Sequence, residues 1–240
     1  MSTAQETTHP TIDEMLKEFP DSPYKLPKEY LSYSAISMWY SNKPGFRSRY
    51  YIKGSKGGLS TPEMDYGKEL ADDLKDRPDA AHIAHVPKYE VRDEGFMVDV
   101  FGVRVLMYPD TLSLIGTPKF REYKSSVYDE SSLTWTQKKV DEHMQLDIYS
   151  MGIKKKYGAV EDLCHLDWMV TEKVPEESVM RIGGHAVRAD LLIPRITDKL
   201  ITFERIVTEI QRYRAKEWIV QAANEIQEDY KKYLKEHEGR

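Results

Sequence analysis

Two short β-runs meet at the breaker cluster Gly116-Thr117-Pro118-Lys119, and this hairpin constrains the chain more than any other feature. The first run, from Tyr108 through Ile115, opens with Pro109-Asp110; the second, Phe120 to Ser125, carries Glu122-Tyr123-Lys124. With the turn centred near Thr117, antiparallel pairing sets Asp110 across from the region of Glu122 to Lys124. Glu122 and Lys124, two apart on one strand, point to one face. The spacing therefore predicts that two carboxylates and one ammonium converge.

Such a set has a definite chemistry. Carboxylate oxygens are hard ligands suited to Mg2+ or Mn2+, which retain part of their water shell and take one or two protein carboxylates plus phosphate oxygens. Asp110, Glu122 and the Tyr123 carbonyl are the candidate metal ligands. A divalent ion neutralises phosphodiester charge and acidifies bound water, and Lys124 beside it could orient the nucleophile and stabilise transition-state charge. The blander reading is a solvated strand face, since an acidic and a basic residue two apart are common in charged proteins.

Downstream, Val140 to Lys156 reads as one amphipathic helix. Met144, Ile148 and Met151 recur at helical spacing, and Lys154, Lys155 and Lys156 close it where cations suit the macrodipole. Gln145 and Tyr149 lie one turn apart beside the apolar stripe; the bland reading is a capped amphipathic helix, and the sharper one is a polar shelf beside the hairpin site with the lysines facing a phosphate backbone.

In series, these elements resemble the PD-(D/E)XK nuclease superfamily, specifically its RecB-like exonuclease branch. The matching residues are Leu31-Ser-Tyr-Ser-Ala-Ile-Ser-Met-Trp39, Asp65-Tyr-Gly-Lys-Glu-Leu-Ala-Asp-Asp-Leu74, Pro109-Asp110, Glu122-Tyr-Lys124 and Gln145-Leu-Asp-Ile-Tyr149, the last similar to that branch's QxxxY element. The resemblance covers roughly residues 30 to 175. It implies a restriction-endonuclease-like α/β core of helix, three-stranded meander, helix and strand. It also implies Asp110, Glu122, Lys124, Gln145 and Tyr149 as catalytic residues with Mg2+ or Mn2+ as cofactor. Two departures stand out. Relatives usually carry a histidine four residues after the glycine of the early helix, where this chain has Ala71. Glu69 or Asp72 could substitute, but Asp65, Glu69, Asp72 and Asp73 read as the solvated surround of a stripe made by Gly67, Leu70, Ala71 and Leu74. The single Cys164 excludes a four-cysteine iron–sulfur cluster.

A chain of 240 residues with 40% hydrophobic content can build one substantial core. The expected organisation is a polar lead-in over residues 1–28, partly ordered, then a single domain over 29–240 with a helical extension at about 201–237. One cysteine forms no intrachain disulfide, no apolar run approaches a membrane span, and the polar start is no signal peptide, so a cytoplasmic setting is expected. A net charge of −5 does not advertise a nucleic-acid binder. Residues 43–56 answer in part: they hold five basic side chains, no acidic one, and Phe46, Tyr50 and Tyr51. Arg47, Arg49 and Lys53 are the candidate DNA contacts, against an ordinary surface helix with core aromatics.

Helices are expected from about Ser34 and Thr61, strands near Lys88 to Val91, Phe96 to Tyr108, Phe120 to Ser125 and Leu163 to Lys173, and one long terminal helix or two nearly continuous ones from Ile201 to His237. His143, His165 and Trp168 read as packing residues, and the histidine spacings form no zinc pattern. The expected activity is a metal-dependent DNA exonuclease of recombination or repair type, phage-encoded in one reading. DNA is its partner, with a helicase or single-strand-annealing protein as a companion. The alternatives are a catalytically silent relative that holds DNA or a partner nuclease, and a hydrolase of another phosphate ester. Strand polarity, DNA against RNA, exonuclease against endonuclease and oligomeric state are not set by the sequence.

Overall fold

The computed structural model describes residues 10–52, 62–92, 94–127, 134–172, 180–182, 185–187 and 196–237. The described residues open with a short helix α1 (Ile12–Lys17), begun by a capping box in which Thr11 and Glu14 satisfy each other's backbone amides. Its Met15 packs on Met97 and Leu106. Farther along, Leu31 exchanges backbone hydrogen bonds with Arg104 and Leu106, which fastens the entry to α2 (Tyr33–Ser41) against the domain. Helices α3 (Lys43–Tyr50) and α4 (Pro62–Asp76) follow.

The main sheet has β1 (Val91–Arg92) at one edge. Here the structure corrects the sequence reading. Phe96 to Tyr108 is a hairpin, β2 (Phe96–Val100) and β3 (Val103–Met107), forming its own two-stranded sheet. The turn is Phe101-Gly102, with φ of 52° and 86°, two positive values as primed hairpin turns require. A phenylalanine at the first position is an uncommon turn residue, and only Gly102 marked the break. After it, β4 (Thr111–Ser113) rejoins the main sheet and pairs with β5 (Lys119–Val127).

The helix expected over Val140 to Lys156 is two helices, α5 (Gln137–Asp141) and α6 (Met144–Tyr157), parted at Glu142-His143. The break is held from outside. Buried Arg205 donates to the carbonyls of Val140 and His143 at 3.0 and 2.8 Å and pairs with Asp147 at 2.7 Å. Burial raises the Asp147 carboxyl above its ordinary range, though Arg205 beside it works the other way. Next comes β6 (Leu163–Thr171), parallel to β5, so α5 and α6 form the crossover that a parallel pair needs. A small hairpin, β7 (Met180–Ile182) with β8 (His185–Val187), precedes β9 (Ile196–Ile206), which lies antiparallel to β6. The terminal helix α7 (Glu209–His237) therefore starts later than expected, because Ile201 to Ile206 is strand.

The order of the main sheet is β1-β4-β5-β6-β9. Helix, antiparallel meander, crossover helices and parallel strand together make the restriction-endonuclease-like α/β core expected from the sequence. The β2-β3 hairpin and β9 are added to it. The main core gathers Trp39, Phe46, Phe120, Ile148 and Trp168 between α2, α6, α7 and the sheet. Across the sheet, Tyr66, Leu70 and Leu74 of α4 pack with Met169. Asp73 is likewise buried, not solvated: its carboxylate binds Arg77 and, at 2.7 Å, His82. Gly152 allows α6 to lie on β3, since a Cβ there would stand 2.0 Å from Met107 Sδ. No helix among the described residues is long and apolar enough to cross a membrane.

Candidate active site

Strand β5 is the spine of the site. Thr111 faces Arg121 across the β4-β5 ladder, so Asp110, one residue earlier, comes level with Glu122. Asp110 Oδ2 accepts the Tyr123 amide hydrogen at 2.6 Å, which fixes the carboxylate against β5. Glu122 is 2% exposed, and its Oε1 receives the Lys124 ammonium at 2.6 Å. Helix α4 closes the other side. Gly67, Ala71 and Leu74 share with Asp110, Glu122 and Lys124 the lining of a cavity of about 200 Å³.

Helix α6 completes the polar set. Gln145 Oε1 accepts from Lys124 Nζ at 3.0 Å and contacts His143 Nε2 at 3.1 Å, while Gln145 Nε2 donates to the Tyr149 hydroxyl at 3.0 Å. An amide oxygen only accepts, so His143 must carry its hydrogen on Nε2. The structure thus brings Asp110, Glu122, Lys124, Gln145 and Tyr149 together. Gln145 and Tyr149 are buried rather than lying on an open shelf, and of the lysines that close α6, Lys154 is ion-paired with Glu209.

The electrostatics follow from crowding. Burial, then the charge of Glu122, pushes the Asp110 carboxyl well above the usual carboxylate range. Burial alone would lower Lys124, but Glu122 and Asp110 more than offset it and hold the ammonium above its ordinary value. His143 is lowered to about 4, by burial first and by Lys124 next, so it is neutral near pH 7. Burial and the same two carboxylates raise the Tyr149 phenol well above its usual value.

A hard divalent cation fits this arrangement. Glu122 Oε2 is buried and makes no hydrogen bond, and a second carboxylate repels it from Asp110. Among the described residues no group of three or more His, Cys, Asp and Glu side chains converges, so Asp110 and Glu122 would share a cation with backbone and solvent oxygens. Ala71 adds no ligand from α4, and Glu69 and Asp72 are exposed.

The basic segment divides. Arg47 forms a bidentate pair with Asp229 of α7, which also accepts from Tyr51 at 2.9 Å. Phe46 and Tyr51 are buried in the core. Among the described residues Arg49 forms no ion pair, and its guanidinium lies 5.8 Å from the Tyr50 ring centroid. Lys53 lies outside the described residues. Sequence reasoning passed over His143 as a packing residue. Its ring does pack, edge-on to Tyr33 and Trp135, but its place two residues before Gln145 was the available signal.

No family model and no curated protein matches the chain. Among solved structures, it is similar to a phage-related exonuclease from Haemophilus somnus 129PT (15% identity, 85% of this chain and 82% of that one, TM-score 0.45). It is similar also to a candidate exonuclease from Eubacterium rectale (10% identity, 84% and 82%, TM-score 0.45) and to LHK-Exo in complex with dAMP (12% identity, 88% and 94%, TM-score 0.40). These are loose likenesses of overall shape, and the chemistry of the site rests on its own geometry.

Proposed function

We propose that this chain is a divalent-metal-dependent DNA nuclease of the PD-(D/E)XK superfamily, of the RecB-like branch, acting as an exonuclease in recombination or repair within the cytoplasm. The observation that carries the reading is the meeting of Asp110, Glu122 and Lys124 at one cavity wall, with Gln145 of a helix separate in sequence accepting a hydrogen bond from Lys124. Solvated charges do not organise in this way. A carboxylate with a buried unsatisfied oxygen, held beside a second carboxylate and a buried ammonium, is costly to maintain without a ligand that uses it.

Asp110 and Glu122 would hold Mg2+ or Mn2+, which when bound supplies Lewis acidity toward the phosphodiester. The protein does the rest. Lys124 stays cationic and offers positive charge where negative charge accumulates on the phosphoryl oxygens in the transition state. Gln145, fixed by His143 and Tyr149, limits the directions in which that ammonium can point.

A second reading has one observation in its favour. Ala71 leaves the α4 wall without a ligand, which suits a catalytically silent relative that holds DNA or a partner nuclease. One assay separates the two. Purified protein is incubated with linear and circular, single- and double-stranded DNA, in Mg2+, Mn2+ or chelator. Metal-dependent shortening of linear DNA supports the exonuclease; cutting of circles assigns an endonuclease; binding without cleavage supports the silent relative.

A further inference from the structure

The cavity that holds Asp110, Glu122 and Lys124 has a second lysine, on the wall made by α4. Gly67, Ala71, Leu74 and Lys75 line that wall, at the spacing of a single helix face turned toward β5. Gly67 lets the two elements approach closely, since a Cβ there would stand 3.1 Å from Ser125 Oγ, which also lines the cavity. A lysine in the last turn of a helix suits the macrodipole wherever it points, so its presence there is ordinary. Its face is not. Helical side chains lean toward the N-terminus and cover the preceding turn, so Lys75 covers the turn that carries Ala71, whose methyl group leaves room for an ammonium. Lys75 is exposed, and a substrate can therefore reach it.

We propose that Lys75 is a catalytic residue for the departing end of the cut strand: from the α4 wall its ammonium stabilises and protonates the leaving oxygen, in place of a second metal ion, so that the site works with one. The proposal rests on the nuclease reading and names the division of labour within that site. Three considerations point the same way. Among the described residues no third His, Cys, Asp or Glu converges on Asp110 and Glu122, so a second ion would lack a protein ligand of its own. An in-line displacement sets the attacking and leaving oxygens on opposite sides of phosphorus, and positive charge is needed at both. Lys124 is tied to the β5 side by Glu122 and Gln145, whereas Lys75 comes from α4. Charge also balances. Two carboxylates against two ammoniums leave the walls neutral, so one divalent ion supplies the positive charge that a dianionic phosphorane calls for. In the step itself the oxygen of a water bonds to phosphorus and one of its protons passes to solvent. The bond from phosphorus to the leaving oxygen breaks with its electron pair on that oxygen, which takes a proton from Lys75, and the amine regains one from solvent.

Two measurements test this. The full chain is titrated with Mn2+ by calorimetry in the absence of DNA; one ion per chain is expected, and two would overturn the proposal. Lys75→Ala is then compared with the wild type in single turnovers at saturating Mn2+. The substrates are linear DNA and the same DNA with sulfur in place of the leaving oxygen, on the 3′ or 5′ side according to which end of the product carries the phosphate. A thiol is far more acidic than an alcohol, so a thiolate departs without a proton donor. Lys75→Ala should slow cleavage of the oxygen ester about a hundredfold, the low end of what a general acid contributes, and of the sulfur ester less than about threefold, with Mn2+ affinity unchanged. Equal slowing of both esters would reduce Lys75 to a DNA contact and overturn the proposal, as would an unaltered rate on both. If the alanine variant fails to fold, Lys75→Gln takes its place, and the ion count of the wild type decides whatever the variants do. A wild type that cuts DNA but binds two ions, or whose variant slows both esters alike, sinks the role of Lys75 and leaves the nuclease reading standing. A wild type that binds one ion and cuts neither ester sinks the nuclease reading, and the role of Lys75 with it.

Discussion

Lys124 Nζ and Gln145 Oε1 stand 3.0 Å apart, although one lies on the strand β5 and the other at the first turn of the helix α6. The contact joins the two parts of the polypeptide that supply the site. Gln145→Ala should therefore slow cleavage while leaving metal affinity nearly unchanged, because the amide acts on the ammonium rather than on the carboxylates. Tyr149→Phe should slow it less, since it removes only the far end of the same chain of hydrogen bonds. The double variant should cost less than the sum of the singles, as expected of neighbours serving one task. Single-turnover rates with a metal titration for each variant would check this, and two silent singles in an active nuclease would refute the coupling.

The two carboxylates and the lysine divide their labour. Asp110→Ala and Glu122→Gln should each abolish metal-supported cleavage, and Lys124→Ala should lower the rate by about 10²–10³, the magnitude typical of losing one electrostatic stabiliser of a transition state. Metal affinity should survive the last change. Chelator should stop the wild-type reaction, and calcium should bind but support little turnover. A Glu122→Gln protein with wild-type rate would remove the hairpin from the mechanism.

Crowding of Asp110 against Glu122 also has a signature without catalysis. In metal-free buffer near pH 7, Asp110→Asn should raise the melting temperature, because it removes a carboxyl whose charged form burial and Glu122 both disfavour. Magnesium should then stabilise the wild type by mass action and leave Asp110→Asn almost unmoved. Thermal melts with and without Mg2+ decide it; equal stabilisation of both proteins would place the cation elsewhere.

His143 supplies the pH dependence. Its imidazole is lowered from 6.5 to about 4 in the folded protein, so between those values the unfolded chain binds the extra proton and the native state does not. Stability from this residue is thus present above about pH 6.5 and is lost as the pH falls toward 4. His143→Gln, which keeps a donor for Gln145, should flatten that slope in denaturant melts run from pH 4 to 7. Cleavage by this variant should stay nearer the wild-type rate than that of His143→Ala, which leaves Gln145 free to turn. An unchanged slope would mean that the ring takes up its proton alike in the folded and the unfolded chain.

How much of this was legible in the sequence depends on whether the signal was local. The β4-β5 hairpin was readable because Gly116-Thr117-Pro118 breaks two β-runs and period-two alternation then sets the faces of Glu122 and Lys124. The β2-β3 turn was not, because Phe101 is a residue that rarely takes a positive φ, here 52°. The division of α5 from α6 depends on Arg205, some sixty residues away, and periodicity within the segment carries no trace of it. The boundary between β9 and α7 contains no glycine or proline, yet Thr208 and Gln211 form the helix start, with the Gln211 side chain accepting the Thr208 amide at 2.7 Å. That pair was a local signal, outweighed by the apolar repeat that continues across it. At the site, the carboxylates and lysine followed from the hairpin, while His143 emerged only once α6 was seen to begin there.

Arg47 and Arg49, two residues apart on α3, should behave differently toward DNA. Arg47 is occupied by a bidentate pair with Asp229, and a phosphate would have to displace that carboxylate before gaining anything. Among the described residues Arg49 has no such competitor. Arg49→Gln should therefore weaken binding across all sequences and reduce the slope of log affinity against log salt by about 0.7, the value for one phosphate contact on a single strand. Arg47→Gln should leave the slope alone and instead lower stability by about 1 kcal/mol or less, as befits a half-exposed ion pair. Filter binding of a single-stranded oligonucleotide at four salt concentrations, in chelator to prevent cleavage, measures the first effect, and denaturant melts measure the second. A reduced slope for Arg47→Gln with none for Arg49→Gln would reverse the assignment and move the path of the DNA toward α7.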